Sequence, residues 1–279
     1  MRTVPAAVLV DGEPGAPDAR DRGLHYGDGL FETFAVRAGK PLCWERHMRR
    51  LARGGRRLRL AVPDAELLWR EALRLCAGAE RAVLKLILTR GAGQRGYRPP
   101  AAARPCRIML CYPWRAPPRE HLASGIAARV CETRLAAQPR TAGLKHLNRL
   151  EQVLAQQEWD DPRVPEGIML DSRGRPVAGT MSNLFAIRGN LLLTPDLALH
   201  GVAGIVREML LELAPGCGLQ PRVGALQLQE LQAAEESFVC NSLFGLWPLR
   251  CIDGHPVPLG PAVRRLRGEL LAKNAIMPQ

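Results

Sequence analysis

The chain has 279 residues, enough to bury a large core in one large or two ordinary domains. At 47% hydrophobic and 24% charged residues it has a globular composition, and it lacks the run of about 18 apolar residues that a membrane helix needs. Its formal charge of +12 would suit nucleic acid or an anionic ligand. The arginines are spread along the chain and aromatics make up only 5%, so a small acidic ligand is expected and a nucleic-acid partner is not.

Residues 3–10 read as a strand closed by the Asp11-Gly12 turn. The apolar run there is too short for a secretory signal, which points to the cytoplasm. Residues 21–34 (DRGLHYGDGLFETF) set Gly23, Gly27 and Gly29 around His25, Tyr26 and Asp28, with Leu30, Thr33 and Val36 flanking a strand. Residues 44–60 form a basic helix with Met48, Leu51 and Leu58 on one face. Residues 64–77 form a second helix, started by Pro63-Asp64 and burying Leu67, Leu68 and Leu75. Residues 81–89 are a strand leading into RGAGQRGY. Gly91, Gly93 and Gly96 there match the dinucleotide fingerprint formally, but that fingerprint must open a helix, and this one runs into Arg98-Pro99-Pro100. A strand over 104–112 and a proline-rich linker over 113–118 end the first half, which divides the chain into domains 1–113 and 119–279.

The second half opens with a strand over 125–133. Strands over 167–171 and 176–183 are joined by the turn 172–175, and 185–193 continue the sheet through Gly189-Asn190. Residues 199–214 form an amphipathic helix through Val206, Met209, Leu210 and Leu213. Its start, Val202-Ala203-Gly204-Ile205, is small and uncharged, so its backbone N–H groups can seat an anion. Residues 236–247 read as one strand carrying Asn241 and Ser242. Asp253-Gly254 is a turn, and Pro261 starts a last helix. The eight cysteines form no C-x-x-C and no zinc-spaced cluster, so reduced, mostly buried thiols and no metal are expected.

Only four lysines occur: Lys40, Lys85, Lys145 and Lys273. A lysine can be desolvated into a free amine, whereas arginine stays charged. Lys40 lies in a turn, Lys85 alternates inside a strand and Lys273 is near the C-terminus. Lys145 precedes Asn148 and Glu151, an Asn-x-x-Glu variant of the capping box, and Leu150, Val153 and Leu154 follow at helical spacing. That places Lys145 just before a capped helix, where a nucleophile can be held. By spacing alone the segment reads more readily as a solvated loop lysine.

The blocks DRGLHYGDGLFET, ERHMRRL, GLKHLNRLEQVLA, GTMSNLF and GVAGIVRE occur in that order and span essentially the whole chain. Together they resemble the class IV aminotransferase family, the fold type IV enzymes that use pyridoxal phosphate (PLP). The resemblance implies a mixed α and β, two-domain fold like that of D-amino-acid aminotransferases, with a small N-terminal α/β domain and a larger C-terminal pseudobarrel domain carrying the lysine. It also implies pyridoxal 5'-phosphate as cofactor and a homodimer. Within the family, LTRGAGQRGYRP, LKHLNRLEQVL and VCNSLFGLWPL point to the lyases that convert 4-amino-4-deoxychorismate to 4-aminobenzoate and pyruvate for folate biosynthesis. A branched-chain or D-amino-acid aminotransferase is the alternative, as is a PLP-binding chain of reduced activity.

Carried onto this chain, the resemblance implies that Lys145 forms the Schiff base with the cofactor. Arg50 would grip the phosphate with its guanidinium fork, together with the backbone N–H groups of Ile205 and Val206 and the hydroxyl of Ser242. Asn183 would lie near the ring. Arg95 would take a substrate carboxylate, with Tyr26 and Asn241 as the other substrate-binding candidates. One position departs from the pattern: the family's E-G-T-M-S-N has a glutamate that keeps the ring nitrogen protonated, and Ala178 stands there. Glu166 and Asp171 are the nearest acids in sequence.

Overall fold

Hydrophobic alternation and tight turns build the first part of the chain as an antiparallel sheet. In the computed structural model, which describes residues 7–278, its elements are β1 (Ala7–Val10), α1 (Arg22–Tyr26), β2 (Gly29–Arg37), β3 (Lys40–Pro41), α2 (Trp44–Leu58), α3 (Ala65–Leu75), β4 (Arg81–Thr89) and β5 (Cys106–Pro113). The strand order is β1-β5-β4-β2-β3. β2 and β4 pair in one unbroken register from Gly29 opposite Thr89 to Arg37 opposite Arg81. Leu84, Leu86 and Leu88 alternate into a core shared with Leu30, Phe34, Met48, Leu51, Leu68 and Ala72. Asp64 caps α3 by accepting from the Glu66 and Leu67 N–H groups. No helix follows the glycines at 91, 93 and 96, in keeping with the rejected fingerprint. The expected strand over 3–10 appears as β1; residues 3–6 lie outside the described part.

The remaining elements are α4 (Arg119–Ala123), β6 (Ile126–Leu135), α5 (Leu150–Gln156), β7 (Glu166–Asp171), β8 (Pro176–Gly179), β9 (Asn183–Arg188), β10 (Leu191–Pro195), α6 (Ile205–Leu213), β11 (Gln220–Gly224), α7 (Leu228–Gln232), β12 (Glu236–Asn241), β13 (Gly245–Ile252), β14 (His255–Pro256) and α8 (Pro261–Ala272). They form a mixed sheet in the order β11-β10-β9-β12-β13-β6-β7-β8, with β14 paired to β13. The strand pairs β10–β11, β13–β6 and β6–β7 are parallel. Glu236 caps α8 from β12, accepting from the Ala262 and Val263 N–H groups at 2.8 and 2.9 Å.

Two spatial units result. One comprises the chain to Arg115 together with Leu144–Asn148; the other holds Ala116–Gly143 and everything from Arg149 onward. The split after Arg115 lies inside the 113–118 linker. The lysine segment, which the sequence assigns to the C-terminal domain, groups with the first unit because its backbone pairs with β2.

Several local expectations are corrected. The helix α1 adds to the elements read from the sequence; it is only five residues long, capped by Asp21 and ended by Gly27 at φ 62°. Residues 236–247 are two strands, because Asn241 Oδ1 accepts from the Leu243 and Phe244 N–H groups and turns the chain. The Asn148–Glu151 capping box does not form. Arg149 occupies the N-cap without capping the helix through its side chain, Asn148 donates to the Gly27 carbonyl, and Glu151 accepts from the Ala136 N–H. Leu67 and Leu75 are half-buried rather than buried. Leu150, Val153 and Leu154 do not face a core; they are 68%, 49% and 48% exposed.

Candidate active site

In the first unit the site is built on β2. The Phe31 N–H donates to the Lys145 carbonyl at 2.9 Å and the Leu147 N–H to the Gly29 carbonyl at 3.1 Å, an antiparallel bridge of Leu30 with His146. Leu144, 1% exposed, anchors the same segment in the core. Asn148 Nδ2 holds the Gly27 carbonyl at 3.1 Å, and a Cβ on Gly27 would fall 2.6 Å from Asn148 Oδ1. The backbone of Lys145 is therefore fixed on both sides. Its Nζ lies 4.2 Å from the centre of the Phe31 ring, within the range where a ring face attracts an ammonium.

A second lysine reaches the same ring. Lys85 Nζ is 5.3 Å from the Phe31 centroid, and burial lowers its pKa. No motif singles it out, since only the β2–β4 register, with Thr33 opposite Lys85, brings it there.

Beside this pair lies a buried charged cluster that sequence reasoning missed apart from Arg50. Glu32 accepts from Arg50 Nε at 2.9 Å and Nη2 at 2.5 Å, and shares a 2.6 Å hydrogen bond with His47 Nδ1. His47 and Arg50 sit three residues apart on α2, so one helix face presents both. Burial alone would raise the Glu32 pKa, but Arg50 and His47 outweigh it and hold it at about 2. Burial pushes the His47 pKa down against the pull of Glu32, with Arg50 and Lys145 adding to the fall. One edge of the Arg50 fork is thus committed to Glu32. Glu32 is legible in retrospect as an acid in a buried strand position, a placement that calls for a cationic partner.

The substrate candidates of this unit lie on one loop and the segment facing it. Tyr26 is half-buried, and its hydroxyl accepts from the Gly96 N–H at 3.1 Å. Arg95, next to Gly96, is exposed.

In the second unit, α6 begins at Gly204 without a side-chain cap. Asn183 Nδ2 donates to the Val202 carbonyl at 2.9 Å, and a Cβ on Gly204 would come within 2.0 Å of Asn183 Oδ1. The Gly143 N–H donates to the Gly201 carbonyl and the Ala203 N–H to the Gly143 carbonyl. This fixed approach presents the N–H groups of Ile205 and Val206 as an anion seat, and only glycine fits at its entrance. The donors therefore suit a phosphate. Asn183 serves the loop backbone with its amide. Ser242 lies half-buried in the β12–β13 turn. Asn241 commits both ends of its amide to that turn and to the Met181 carbonyl.

Position 178 is different. Ala178 is 6% exposed and packs with Cys131, Leu135, Ala155, Met169, Val177 and Leu197. The two neighbouring acids are engaged elsewhere. Glu166, fully buried, accepts from Gly167 N and Thr180 N at 3.0 Å, Thr180 Oγ1 at 2.5 Å and Ser182 Oγ at 2.7 Å. Desolvation nevertheless raises its pKa. Asp171 binds the turn through the Arg173 and Arg175 N–H groups and Arg175 Nε. Among the described residues no cluster of His, Cys, Asp and Glu is fit to hold a metal.

Comparison with known proteins places these features in a family. The model of the amino-transferase class IV family matches residues 29–252. The aminodeoxychorismate lyase of Vibrio harveyi is 35% identical over 90% of this chain and 94% of its own length. The crystal structure of 4-amino-4-deoxychorismate lyase from Pseudomonas aeruginosa aligns with a TM-score of 0.91 at 50% identity, covering 95% of this chain and 98% of that one. A hypothetical aminotransferase from Mycobacterium tuberculosis, solved in its PLP-bound form, aligns at 0.82 over 97% and 99% of the two chains; at 23% identity this is a likeness of fold.

The Glu32 cluster predicts an acid sensitivity. Its carboxyl is held at about 2 when folded against an ordinary value of 4.5, so its stabilisation is complete above pH 4.5 and disappears as the pH falls toward 2. A shift of that size corresponds to about 3 kcal/mol. Urea unfolding of wild type and Glu32→Gln between pH 6 and pH 2.5 should show a stability gap that narrows with acid. A gap independent of pH would show that the folded carboxyl is not held down.

Proposed function

The chain belongs to the class IV aminotransferase family, and from that membership we propose that it is a PLP-dependent lyase converting 4-amino-4-deoxychorismate to 4-aminobenzoate and pyruvate in folate biosynthesis. The lyases at 35% and 50% identity support this reaction, and the structural neighbour in its PLP-bound form supports the cofactor. The observation that carries the reading is Lys145, pinned by two backbone bonds to β2 with its Nζ at the Phe31 ring.

Lys145 would hold the cofactor covalently through Nζ. Its phosphate would be held by the N–H groups of Ile205 and Val206, by the Arg50 guanidinium and by the Ser242 hydroxyl. When bound, PLP supplies an electron-withdrawing ring conjugated to the substrate's amine-bearing carbon, which makes the proton on that carbon acidic. Lys145 Nζ, once released, takes the proton from C4 of the substrate. The C3–oxygen bond then breaks, the same Nζ returns a proton to the departing enolpyruvate, and the carbocycle becomes aromatic. Arg95 binds one of the two substrate carboxylates, with Tyr26 beside it.

The proposed assembly is a homodimer. Leu150, Val153 and Leu154 form an exposed apolar stripe on α5 that a second copy could cover. Reduced thiols fit the cytoplasm, with cell fractionation as the check. Among the described residues no helix is long and apolar enough to cross a membrane.

Purified protein should release pyruvate from 4-amino-4-deoxychorismate with no keto acid added, and Lys145→Ala should lower that rate by about 10³-fold or more. Borohydride reduction followed by peptide mapping should place the pyridoxyl group on Lys145. Its appearance on Lys85, the other lysine at the Phe31 ring, would remove Lys145 from the role.

Light scattering at micromolar protein should give a mass near twice 30.6 kDa. A mass of one chain would count against the dimer.

An acid at position 178 would hold a proton on the ring nitrogen, which alanine cannot do. Aromatisation drives the elimination, so the lyase reaction depends on that proton less than transamination does. Ala178→Glu should raise lyase turnover by about 10-fold, equivalent to about 1.4 kcal/mol of barrier, and transamination by a larger factor. If neither rate changes at saturating PLP, position 178 does not adjoin the ring nitrogen.

A further inference from the structure

The loop Gly91–Tyr97 holds no helix or strand beyond an isolated bridge of Ala92 with Asp21, and Gln94, Arg95, Gly96 and Tyr97 are all exposed. Left to itself, a surface loop with glycines at 91, 93 and 96 would sample many conformations. It is instead bound to the segment around α1 at both ends. The Arg22 N–H donates to the Gly91 carbonyl at 2.9 Å, and the Gly93 N–H to the Arg20 carbonyl at 3.2 Å. At the far end Arg22 Nη1 donates to the Gly96 carbonyl at 2.9 Å and Nη2 to the Tyr97 carbonyl at 2.8 Å, while the Gly96 N–H donates to the Tyr26 hydroxyl at 3.1 Å.

Arg22 is 3% exposed, an unusual setting for a guanidinium. Its third direction, Nε, donates to Asp28 Oδ2 at 2.9 Å. The same oxygen accepts from Arg90 Nε at 2.8 Å, and Arg90 Nη1 and Nη2 hold the Arg59 and Leu58 carbonyls at the end of α2. The Tyr26 ring lies 4.8 Å from the Arg22 guanidinium carbon and 5.4 Å from the Tyr97 ring. A Cβ at Gly93 would stand 3.0 Å from Arg22 Cδ, so a larger residue there would press on this clamp. Arg95 is bracketed between the Gly93 and Gly96 attachments.

We propose that Arg22 is a positioning residue for substrate recognition: locked by Asp28 and Arg90, it holds the Gly91–Tyr97 loop so that Arg95 is presented to a substrate carboxylate. This rests on the lyase reading and on the role of Arg95 within it. Arg22 touches no reacting atom, so its loss weakens substrate capture and leaves the chemical step intact. Lysine cannot replace it, because one ammonium cannot reach Asp28 and two carbonyls in the fixed directions of the fork.

The test compares wild type, Arg22→Ala, Arg22→Lys, Arg95→Ala and the double variant Arg22→Ala/Arg95→Ala, all loaded with PLP. Arg22→Ala should raise KM by about 10-fold with kcat within about twofold, and Arg22→Lys should not rescue it. In the Arg95→Ala background the same substitution should change KM by less than about twofold, because the two residues act through one contact. Trypsin reads the loop independently of activity. Cleavage after Arg95 should speed up by about 10-fold in Arg22→Ala, while Arg98, which precedes proline, is not cut. If Arg22→Ala does not fold, Arg22→Gln fills the space and keeps one carbonyl bond; it should shift KM and cleavage the same way by smaller factors. An unchanged KM, a fall in kcat alone, or additive KM effects with Arg95→Ala would each overturn the proposal. A wild type that releases no pyruvate would remove the lyase reading instead, and the trypsin result would still report on the clamp.

Discussion

The functional half of the first unit depends on one short backbone pairing, the two hydrogen bonds that tie residues 145–147 to the start of β2. β3 covers β2 only at Val36 and Arg37, so the beginning of that strand keeps an open edge for another segment. The lysine segment fills it. Its position is set by main-chain geometry, not by the side chain it carries, which lets Nζ be placed at the Phe31 ring. The same pairing explains why Leu144–Asn148 groups with the first unit, although the chain on either side belongs to the second.

Arginine does structural work throughout this unit. Glu32 and Asp28 each serve two bases, Arg50 with His47 and Arg22 with Arg90. Burying a charge is costly unless it is paired and its remaining donors are satisfied. A guanidinium meets that condition in several directions at once, which an ammonium cannot. Part of the charge of +12 is therefore internal wiring and not a surface for polyanions.

The second unit shows the opposite arrangement at position 178. Alanine there completes an apolar cluster, and the neighbouring carboxylates of Glu166 and Asp171 are committed to closing the turns around β8. The fixed approach to α6 and the cradle closed by Asn183 remain intact beside it. The fixed approach to α6 and the apolar packing at position 178 are thus separable features of the same unit.

Much of this was readable from neighbours in sequence. Alternation placed β4 to the residue, Asp64 and Pro261 marked helix starts, and the run into Arg98-Pro99-Pro100 excluded a dinucleotide loop. The five motif blocks carried the family. Tertiary structure decided what periodicity could not. It turned Leu150, Val153 and Leu154 outward, drew Asn148 and Asn241 onto backbone groups, and broke 236–247 into a hairpin. It also joined Glu32 to Arg50 and Arg22 to the carbonyls of Gly96 and Tyr97. The reason is physical: caps and amphipathic faces are satisfied within a few residues, whereas a buried charge or an open strand edge takes its partner from whatever distant segment the sheet brings alongside.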